Sequence, residues 1–271
     1  MHEPLSRSHH NPQADAGRVT QHFATVACQV PAAVGGGFPQ AGVLFAPFSS
    51  DPGVTAACER VLSSDERQRA DRFGEEGVRR AFVQRRAFRR YAVDVALGSP
   101  GGLLRHSFAA LEKGRPWLPA VPQLSWSFSS CRSGMLAAWS PAGEIGVDVE
   151  EQGREVDFMS LARRYYAPEE TDFLLAAAEG ERKSLFLRFW CLKEAILKAI
   201  GEGLAYGLDR FAFTLEPAVS IVQAPEAMGG VAAFQAAELV SDSLHSAGVT
   251  GAVVLQFRKT GCPSATDVPV A

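Results

Sequence analysis

The chain has 271 residues, of which 46% are hydrophobic, and its formal net charge is -3 with a sequence pI near 6.1. This length and composition suffice to bury one core in each of two domains. The acidic balance weighs against a dedicated nucleic-acid-binding protein. No apolar run approaches the length of a membrane span, so no membrane association is predicted.

Both ends of the chain are predicted to lie outside the folded core. Residues 1–40 are rich in His, Pro, Ala and Gly and predict a flexible N-terminal extension, with Gly35-Gly36-Gly37 as a linker. Within it, Phe23 to Val30 is an exception that could form an added strand. Residues 259–271 predict a flexible, polar tail.

Cysteine usage and the first residues indicate a cytoplasmic location. The five cysteines show no metal-binding spacing and form no even disulfide set. The start lacks the basic and apolar regions of a signal peptide. We therefore expect a reducing compartment.

Local signals mark where two helices begin. Ser63 with Glu66 three residues later is a capping box, and Pro168 followed by two glutamates favours another start. Many arginines lie between positions 67 and 90. A solvated helix face explains most of them, because acidic residues are interspersed among them.

An internal similarity relates the two halves of the chain, with an offset of about a hundred residues. The corresponding positions are Asp65-Glu66 with Glu169-Glu170, Phe82 with Phe186, and Phe108-Ala109 with Phe211-Ala212. Each half is interpreted as two helices followed by strands, which predicts two similar α+β lobes. Chance similarity is the alternative, since only a few positions match.

A strand pattern places two carboxylates on one face. Ile145, Val147 and Val149 alternate with Asp148 and Glu150, which is the period of a strand with one apolar face. Two close carboxylates repel each other unless a cation or an arginine lies between them, and hard oxygen ligands suit Mg²⁺ or Mn²⁺ rather than zinc. A solvated strand face is the alternative interpretation.

A helical pattern runs from Ser184 to Ile200 and stops at Gly201. Trp190, Glu194 and Lys198 are four residues apart in turn, so they share one stripe of this helix, with Lys193 beside it. An ordinary Glu194–Lys198 surface pair is the alternative. Such pairs are common on exposed helices.

Together the two patterns resemble the 4′-phosphopantetheinyl transferases of the larger, Sfp-type kind, which show G-[IV]-D-[IV]-E followed by W-x-x-K-E-x-x-x-K. The chain reads GVDVE and then WCLKEAILK. Between them, the segment from Arg163 to Glu170 resembles the family's R-[FY]-[FY]-x-x-x-E segment, and the turn from Gly201 to Leu204 resembles its G-x-G-L. The resemblance spans roughly residues 43 to 257.

The resemblance implies a fold and a domain organisation. The fold class is α+β, with two similar lobes related by pseudo-two-fold symmetry, each a small antiparallel sheet packed with helices. The N-terminal lobe would cover residues 41–141 and contact coenzyme A. The C-terminal lobe would cover residues 142–258 and carry the metal and catalytic motifs. Such a chain is expected to act as a monomer.

The resemblance also implies an activity. The enzyme would transfer 4′-phosphopantetheine from coenzyme A to a serine of an acyl or peptidyl carrier protein, releasing adenosine 3′,5′-bisphosphate. Asp148, Glu150 and Glu194 would hold Mg²⁺, or Mn²⁺, and Lys198 would add a positive charge on the phosphates. Glu194 or a water molecule would take the serine proton, and Lys193 could assist the leaving group.

The resemblance also implies contacts for coenzyme A, from the family's basic positions and from its S-H-[ST] segment. They are Arg69, Arg80, Arg115, Ser129, Ser130 and Lys198. Where the family usually has S-H-[ST], this chain has Ser129-Ser130-Cys131, and a serine hydroxyl carries no charge. We therefore expect weaker binding of coenzyme A than in relatives that carry the histidine.

Two other functions fit parts of the pattern. A non-catalytic module could bind coenzyme A or a carrier protein without transfer, although such a module has no need to keep three repelling carboxylates together. A Mg²⁺-dependent phosphodiesterase would share the metal ligands but would release its product to water. Dependence on an acceptor protein separates the two enzymes.

Overall fold

The structure is a computed structural model that describes residues 12–26, 28–29, 41–99 and 107–257. Within it, the chain forms two compact units. One consists of Met1–Val26 and Ser49–His106, and the other of Ala27–Phe48 and Ser107–Ala271. The predicted linker at Gly35 and the predicted tail lie outside the described residues.

The first unit is helical in its described part. Its helices are α1 Pro12–Val26, α2 Pro52–Arg60, α3 Ser64–Ala70 and α4 Glu76–Leu97. The predicted capping box is confirmed, because Ser63 accepts from the backbone of Glu66 and the Glu66 carboxylate accepts from the backbone of Ser63. Helix α4 ends at Gly98, whose φ of 61° is the left-handed conformation that glycine tolerates at a helix end.

Helix α1 differs from the sequence-based expectation. The sequence predicts a flexible segment over residues 1–40, with a possible strand over Phe23 to Val30. In the structure α1 runs to Val26, and among the residues described in this segment the extended ones are Cys28–Gln29. Phe23 is fully buried, and its ring lies 5.4 Å from those of Phe88 and Tyr91 in α4. The apolar face of α1 therefore completes the core of this unit, which composition alone did not reveal.

The second unit combines strands and helices. Its strands are β1 Cys28–Gln29, β2 Gly42–Pro47, β3 Ala109–Ala110, β4 Pro116–Trp117, β5 Ser125–Ser130, β6 Gly134–Ser140, β7 Gly143–Glu151, β8 Ala212–Thr214, β9 Ser220–Gln223, β10 Phe234–Leu239 and β11 Val249–Phe257. Its helices are α5 Phe158–Tyr165, α6 Pro168–Ala176, α7 Glu179–Ile200 and α8 Asp242–Ser246. The predicted helix start at Pro168 and the helix stop at Gly201 are confirmed.

Two antiparallel sheets organise this unit. One has the strand order β1-β2-β6-β5, and the other has the order β10-β11-β7. Strand β7 pairs along its whole length with β11, so that Asp148 lies opposite Ala252 and Glu150 opposite Thr250. The strands β5 and β7 are each at the edge of their sheet.

The two faces of β7 have different neighbours. Ile145, Val147 and Val149 are buried in a core that also contains residues of β2, β6, β10 and β11. The alternate residues, Gly146 and Asp148 among them, face helix α7 on the other side. The predicted alternation is confirmed, and it aims both carboxylates of β7 toward the same helix.

The described fold is α+β, with helices and small antiparallel sheets, as predicted. The compact units divide the chain at other positions than the predicted lobes, because the sheet built on β2, β5 and β6 belongs to the second unit. The lobe boundaries of 41–141 and 142–258 therefore stay a prediction. None of the helices in the described part combines the length and apolar character needed to cross a membrane.

Candidate active site

The site begins with the close approach of β7 and α7. Gly146 lies so near α7 that a Cβ atom placed on it would overlap the carbonyl oxygen of Ala195 and the backbone nitrogen of Ala199. Any side chain at this position would push the helix away from the strand. The glycine that opens the GVDVE segment thus sets the distance between the carboxylates of β7 and the charged stripe of α7.

Lys198 joins the two elements. Its Nζ lies 2.7 Å from Oδ1 of Asp148, although the two residues are fifty positions apart in sequence. The side chain of Asp148 is 7% exposed and that of Lys198 is 30% exposed, so the pair lies at a partly open edge of the core. The structure thus brings Lys198 into direct contact with one of the predicted metal ligands.

Ser129 on β5 completes this contact. Its hydroxyl donates to Oδ1 of Asp148 at 2.8 Å and accepts from Nζ of Lys198 at 3.0 Å. Asp148, Ser129 and Lys198 thus form a closed hydrogen-bonded triangle that links β7, β5 and α7.

Two further serines hold β5 against β7. The hydroxyls of Ser125 and Ser127 accept from the backbone N–H groups of Ile145 and Val147, each at 3.1 Å. Both N–H groups lie on an edge strand and would otherwise be buried without a partner. Sequence analysis missed this ladder, whose only signal is the alternation of serines at 125, 127 and 129.

Glu150 has a different cation as its partner. Its Oε1 lies 2.6 Å from Nη1 of Arg154, and the Trp190 side chain also favours the negative form of the same carboxylate. Sequence analysis did not select Arg154. It follows the end of β7, where neither strand nor helix spacing predicts that its side chain returns to Glu150.

The charge of Asp148 affects the pKa values of both Glu150 and Glu194. Burial raises the pKa of Glu150, and the charge of Asp148 raises it further, against the opposing effect of Arg154. Burial likewise raises the pKa of Glu194, followed by the charge of Asp148, against the opposing effect of Lys198. A cation placed among these groups would be favourable.

A divalent metal ion is the ligand that suits the oxygen atoms of these residues. Carboxylate oxygens are the donors that Mg²⁺ and Mn²⁺ prefer, and Oδ2 of Asp148 is buried without a hydrogen-bond partner. The donor set therefore fits such an ion. Yet among the residues that the structure describes, no three acidic, histidine or cysteine side chains already stand close enough to hold a metal together. Side chains must move before all three carboxylates share one ion.

Lys193 lies apart from this site. Its side chain is fully buried, with Nζ 2.7 Å from Oε2 of Glu170 and donating to the carbonyl oxygens of Leu208 at 2.9 Å and Phe211 at 2.7 Å. All three donors of the ammonium group are therefore used inside the core. This position does not support the predicted role of Lys193 with the leaving group.

The residues predicted to contact coenzyme A are distributed over both units. Arg115 belongs to the second unit, where it pairs with Glu144 at 2.5 Å and donates to the carbonyl of Ala199 at the end of α7. Arg69 on α3 and Arg80 on α4 belong to the helical unit. Ser130 ends β5, directly after Ser129. The structure thus places Ser129 and Lys198 with the carboxylates and describes the arginines only within their own units.

Comparison with known proteins shows similarity to 4′-phosphopantetheinyl transferases. Residues 144–242 match the sequence model of the 4′-phosphopantetheinyl transferase superfamily. The chain is 32% identical over 160 residues to the 4′-phosphopantetheinyl transferase HetI of Nostoc sp., which covers 58% of this chain and 66% of that protein. It is 30% identical over 175 residues to slr0495 of Synechocystis sp., a protein provisionally named as a 4′-phosphopantetheinyl transferase. This similarity covers 64% of this chain and 69% of that protein.

A third relative is the 4′-phosphopantetheinyl transferase of Bacillus subtilis. It is 27% identical over 157 residues, which covers 58% of this chain and 67% of that protein. The similar segments therefore span about two thirds of the length of these three relatives. The residues matched by the family model include Asp148, Glu150, Glu194 and Lys198.

Proposed function

Since the chain belongs to the 4′-phosphopantetheinyl transferase superfamily, we propose that it transfers the 4′-phosphopantetheine group of coenzyme A to a serine hydroxyl of an acyl or peptidyl carrier protein. The products are the holo-carrier protein and adenosine 3′,5′-bisphosphate. The observation that carries this proposal is the assembly of Asp148, Lys198 and Ser129 from three elements distant in sequence.

The carboxylates form the metal-binding part of the site. Asp148, Glu150 and Glu194 are the ligands that we propose for Mg²⁺, with Mn²⁺ as a substitute. A bound ion would supply charge neutralisation on the pyrophosphate of coenzyme A. The unpartnered Oδ2 of Asp148 supports this assignment, as does the effect of the Asp148 charge on the pKa values of Glu150 and Glu194.

Lys198 is the cation that we assign to the phosphates. Its ammonium group has three donors, and the structure uses two of them on Asp148 and Ser129. The third is available for a phosphate oxygen at the partly open edge of the site. Lys198 would bind and orient the pyrophosphate, and Asp148 and Ser129 fix the ammonium group in place.

Glu194 is the protein group that we assign as general base. Its raised pKa, caused by burial and then by Asp148, brings it closer to the range in which a carboxylate removes a proton efficiently. It would take the proton of the carrier serine hydroxyl onto a carboxylate oxygen while that hydroxyl attacks phosphorus. A water molecule in the same place is the alternative base.

The coenzyme A contacts extend this proposal. Arg69, Arg80 and Arg115, with Ser129, Ser130 and Lys198, are assigned to the phosphates and the adenine of coenzyme A. Arginine forks recognise phosphate oxygens well. Arg115 already pairs with Glu144, so its contact with a phosphate requires that it leaves or shares that carboxylate.

Two equivalent ion pairs support the proposed duplication of the chain. In the helical unit Glu66 pairs with Arg90 at 2.6 Å, and in the other unit Glu170 pairs with Lys193 at 2.7 Å. Both glutamates also accept from the backbone at the start of their own helix. Their sequence separation of about a hundred residues equals the offset of the internal similarity. We keep pseudo-two-fold symmetry of the lobes as a proposal.

We also propose that the enzyme acts as a monomer in the cytoplasm. The three cysteines in the described part, at positions 58, 131 and 191, are free thiols, which agrees with a reducing compartment. Duplicated lobes within one chain would supply the two halves of the site. Size-exclusion chromatography with light scattering tests this, because elution as a trimer contradicts it.

Intact-protein mass spectrometry tests the transfer. An apo-carrier protein is incubated with coenzyme A, Mg²⁺ and the enzyme, and a phosphopantetheine-sized gain in mass is expected. The gain should disappear with Asp148→Asn. The exposed Asp172 offers a matched control, and Asp172→Asn should retain the gain. No gain over several carrier proteins, despite binding of coenzyme A, would favour a binding module instead.

A further inference from the structure

Two of the three proposed metal ligands form ion pairs with cationic side chains of the protein itself. Lys198 contacts Asp148, and Arg154 contacts Glu150. Lys198 has a proposed role with the phosphates, whereas Arg154 has no role in the proposed transfer. Arg154 is the more accessible of the two cations, with 40% of its side chain exposed against 30% for Lys198.

Arg154 stands where it affects more than one carboxylate. Its guanidinium contacts Glu150 at 2.6 Å and lies 6.0 Å from the centre of the Trp190 ring. Its charge also reaches Glu194, whose negative form it favours. Trp190 also favours the negative form of Glu150, so both Arg154 and Trp190 act on this proposed metal ligand.

The lone pair of Glu150 Oε1 that accepts from Arg154 at 2.6 Å is not available to a metal ion while that contact lasts. Among the described residues no three such side chains are close enough to share an ion, and two of the three proposed ligands, Asp148 and Glu150, are instead paired with Lys198 and Arg154. The three carboxylates repel one another when no cation is present, so a counter-ion supplied by the chain keeps them together.

We propose that Arg154 is a resident counter-ion of Glu150 that a divalent cation displaces when it binds. This inference rests on the metal site of the proposed function and assigns Arg154 a positioning role. Arg154 holds Glu150 near Asp148 and Glu194 without the ion, and it lowers the affinity for the ion because its contact must be broken. The displaced side chain is hydrated at little cost, because it is already partly exposed.

Binding of Mn²⁺, measured by electron paramagnetic resonance without coenzyme A or carrier protein, tests the inference. Arg154→Gln removes the competing cation, so the affinity for Mn²⁺ should rise roughly two- to fivefold, the range that exposed ion pairs allow. Arg163→Gln is the matched control, because it removes the same charge from an exposed position of α5. Arg163→Gln should leave the affinity near that of the parent chain.

Two further variants separate displacement from a general charge effect. In a Glu150→Gln background, Arg154→Gln should change the affinity for Mn²⁺ less than it does in the parent chain, because only its longer-range effect on Glu194 remains. Arg154→Lys, which keeps the charge but loses the arginine fork, should give an intermediate affinity. Thermal melts of each variant without metal show whether it is folded.

Fluorescence provides a second readout. Displacement moves the guanidinium away from the Trp190 ring. Addition of Mg²⁺ to the parent chain should therefore change its tryptophan emission. The change should shrink in Arg154→Gln. The inference is overturned if Arg154→Gln binds Mn²⁺ no more tightly than Arg163→Gln does.

The failure of the inference is distinguishable from failure of the proposed function. If neither the parent chain nor Arg154→Gln binds Mn²⁺, the resident counter-ion and the free metal site are both wrong. Phosphopantetheine transfer, followed by mass spectrometry, decides the enzymatic activity independently of that result.

Discussion

Lys193 and Glu170 form a buried ion pair of 2.7 Å in which neither side chain is more than 1% exposed. Burial lowers the pKa of Lys193 and raises the pKa of Glu170, in each case despite the partner's charge. The pair links α7 to α6, and Glu170 also accepts from the backbone N–H of Phe213. Its geometry indicates a structural role for a lysine that lies next to the proposed general base.

Replacement of Lys193 should therefore affect stability before it affects chemistry. Lys193→Met leaves the carboxylate of Glu170 buried without its cation, and we expect a loss of about 3–5 kcal/mol in the free energy of unfolding. The second change Glu170→Gln should restore part of this loss, since the amide is neutral and its one oxygen still accepts one of the two backbone bonds, from Ala167 or from Phe213. Denaturant unfolding measures both. A large loss of transfer rate at unchanged stability would instead support a role with the leaving group.

Gly146 should be intolerant of any side chain. Gly146→Ala forces β7 and α7 apart, because the added methyl group meets the backbone of Ala195 and Ala199. We expect a cost of about 1–3 kcal/mol in unfolding and a loss of transfer activity, since Asp148 moves away from Lys198. Gly180→Ala on α7 is the control, because a Cβ atom at position 180 would have no other atom within 4 Å. Equal stability of the two variants would contradict this account of the strand–helix contact.

Lys198 should be needed for rate rather than for folding. Lys198→Met removes the cation that contacts both Asp148 and Ser129, and we expect the transfer rate to fall by about a hundredfold or more. Lys183→Met removes a comparable lysine, whose partner Glu155 is 92% exposed, and it should leave the rate almost unchanged. Initial rates at saturating coenzyme A make the comparison. Similar rates for the two variants would exclude Lys198 from the chemistry.

Ser130 should weaken the binding of coenzyme A relative to a histidine. A protonated imidazole adds a charged donor for a phosphate, whereas the serine hydroxyl is neutral. Ser130→His is therefore expected to lower the KM for coenzyme A with little change in kcat. An unchanged KM, measured at fixed carrier concentration, would show that this position does not face the cofactor.

Glu66 should make stability depend on pH in the acid range. Burial alone would raise its pKa, but the hydrogen bond and charge of Arg90, with the bond from Ser63 and the charge of Arg86, bring the pKa below its ordinary value of 4.5. The folded chain then holds this proton less tightly than the unfolded chain. The resulting stability is present above pH 4.5 and is lost as the pH falls through the lowered pKa.

Unfolding free energies measured between neutral and acid pH check this expectation. Glu66→Gln keeps a side chain that serves the capping box but cannot titrate, so its stability should fall less steeply below pH 4.5 than that of the parent chain. Parallel curves for the two chains would assign the acid sensitivity to other carboxylates.

Local periodicity was sufficient to predict the faces of the active-site elements. The alternation from Ile145 to Glu150 placed Asp148 and Glu150 on one face of a strand, and a spacing of four placed Glu194 and Lys198 on one stripe of a helix. Both results follow from repeats of the backbone itself, which are set within a few residues. The capping box at Ser63 was predictable for the same reason.

Packing decided what the sequence could not. Lys193 is next to Glu194, but successive residues of a helix are turned by about 100°, and only the core around Glu170 determines that its ammonium group is buried. Ser129 and Arg154 join the site because separate elements bring them to Asp148 and Glu150. The face of α1 that fills the helical unit is a similar case. The sequence by itself determined which side chains share a face, and the tertiary structure determined which partners meet them, because partners come from segments whose distance in the chain carries no local signal.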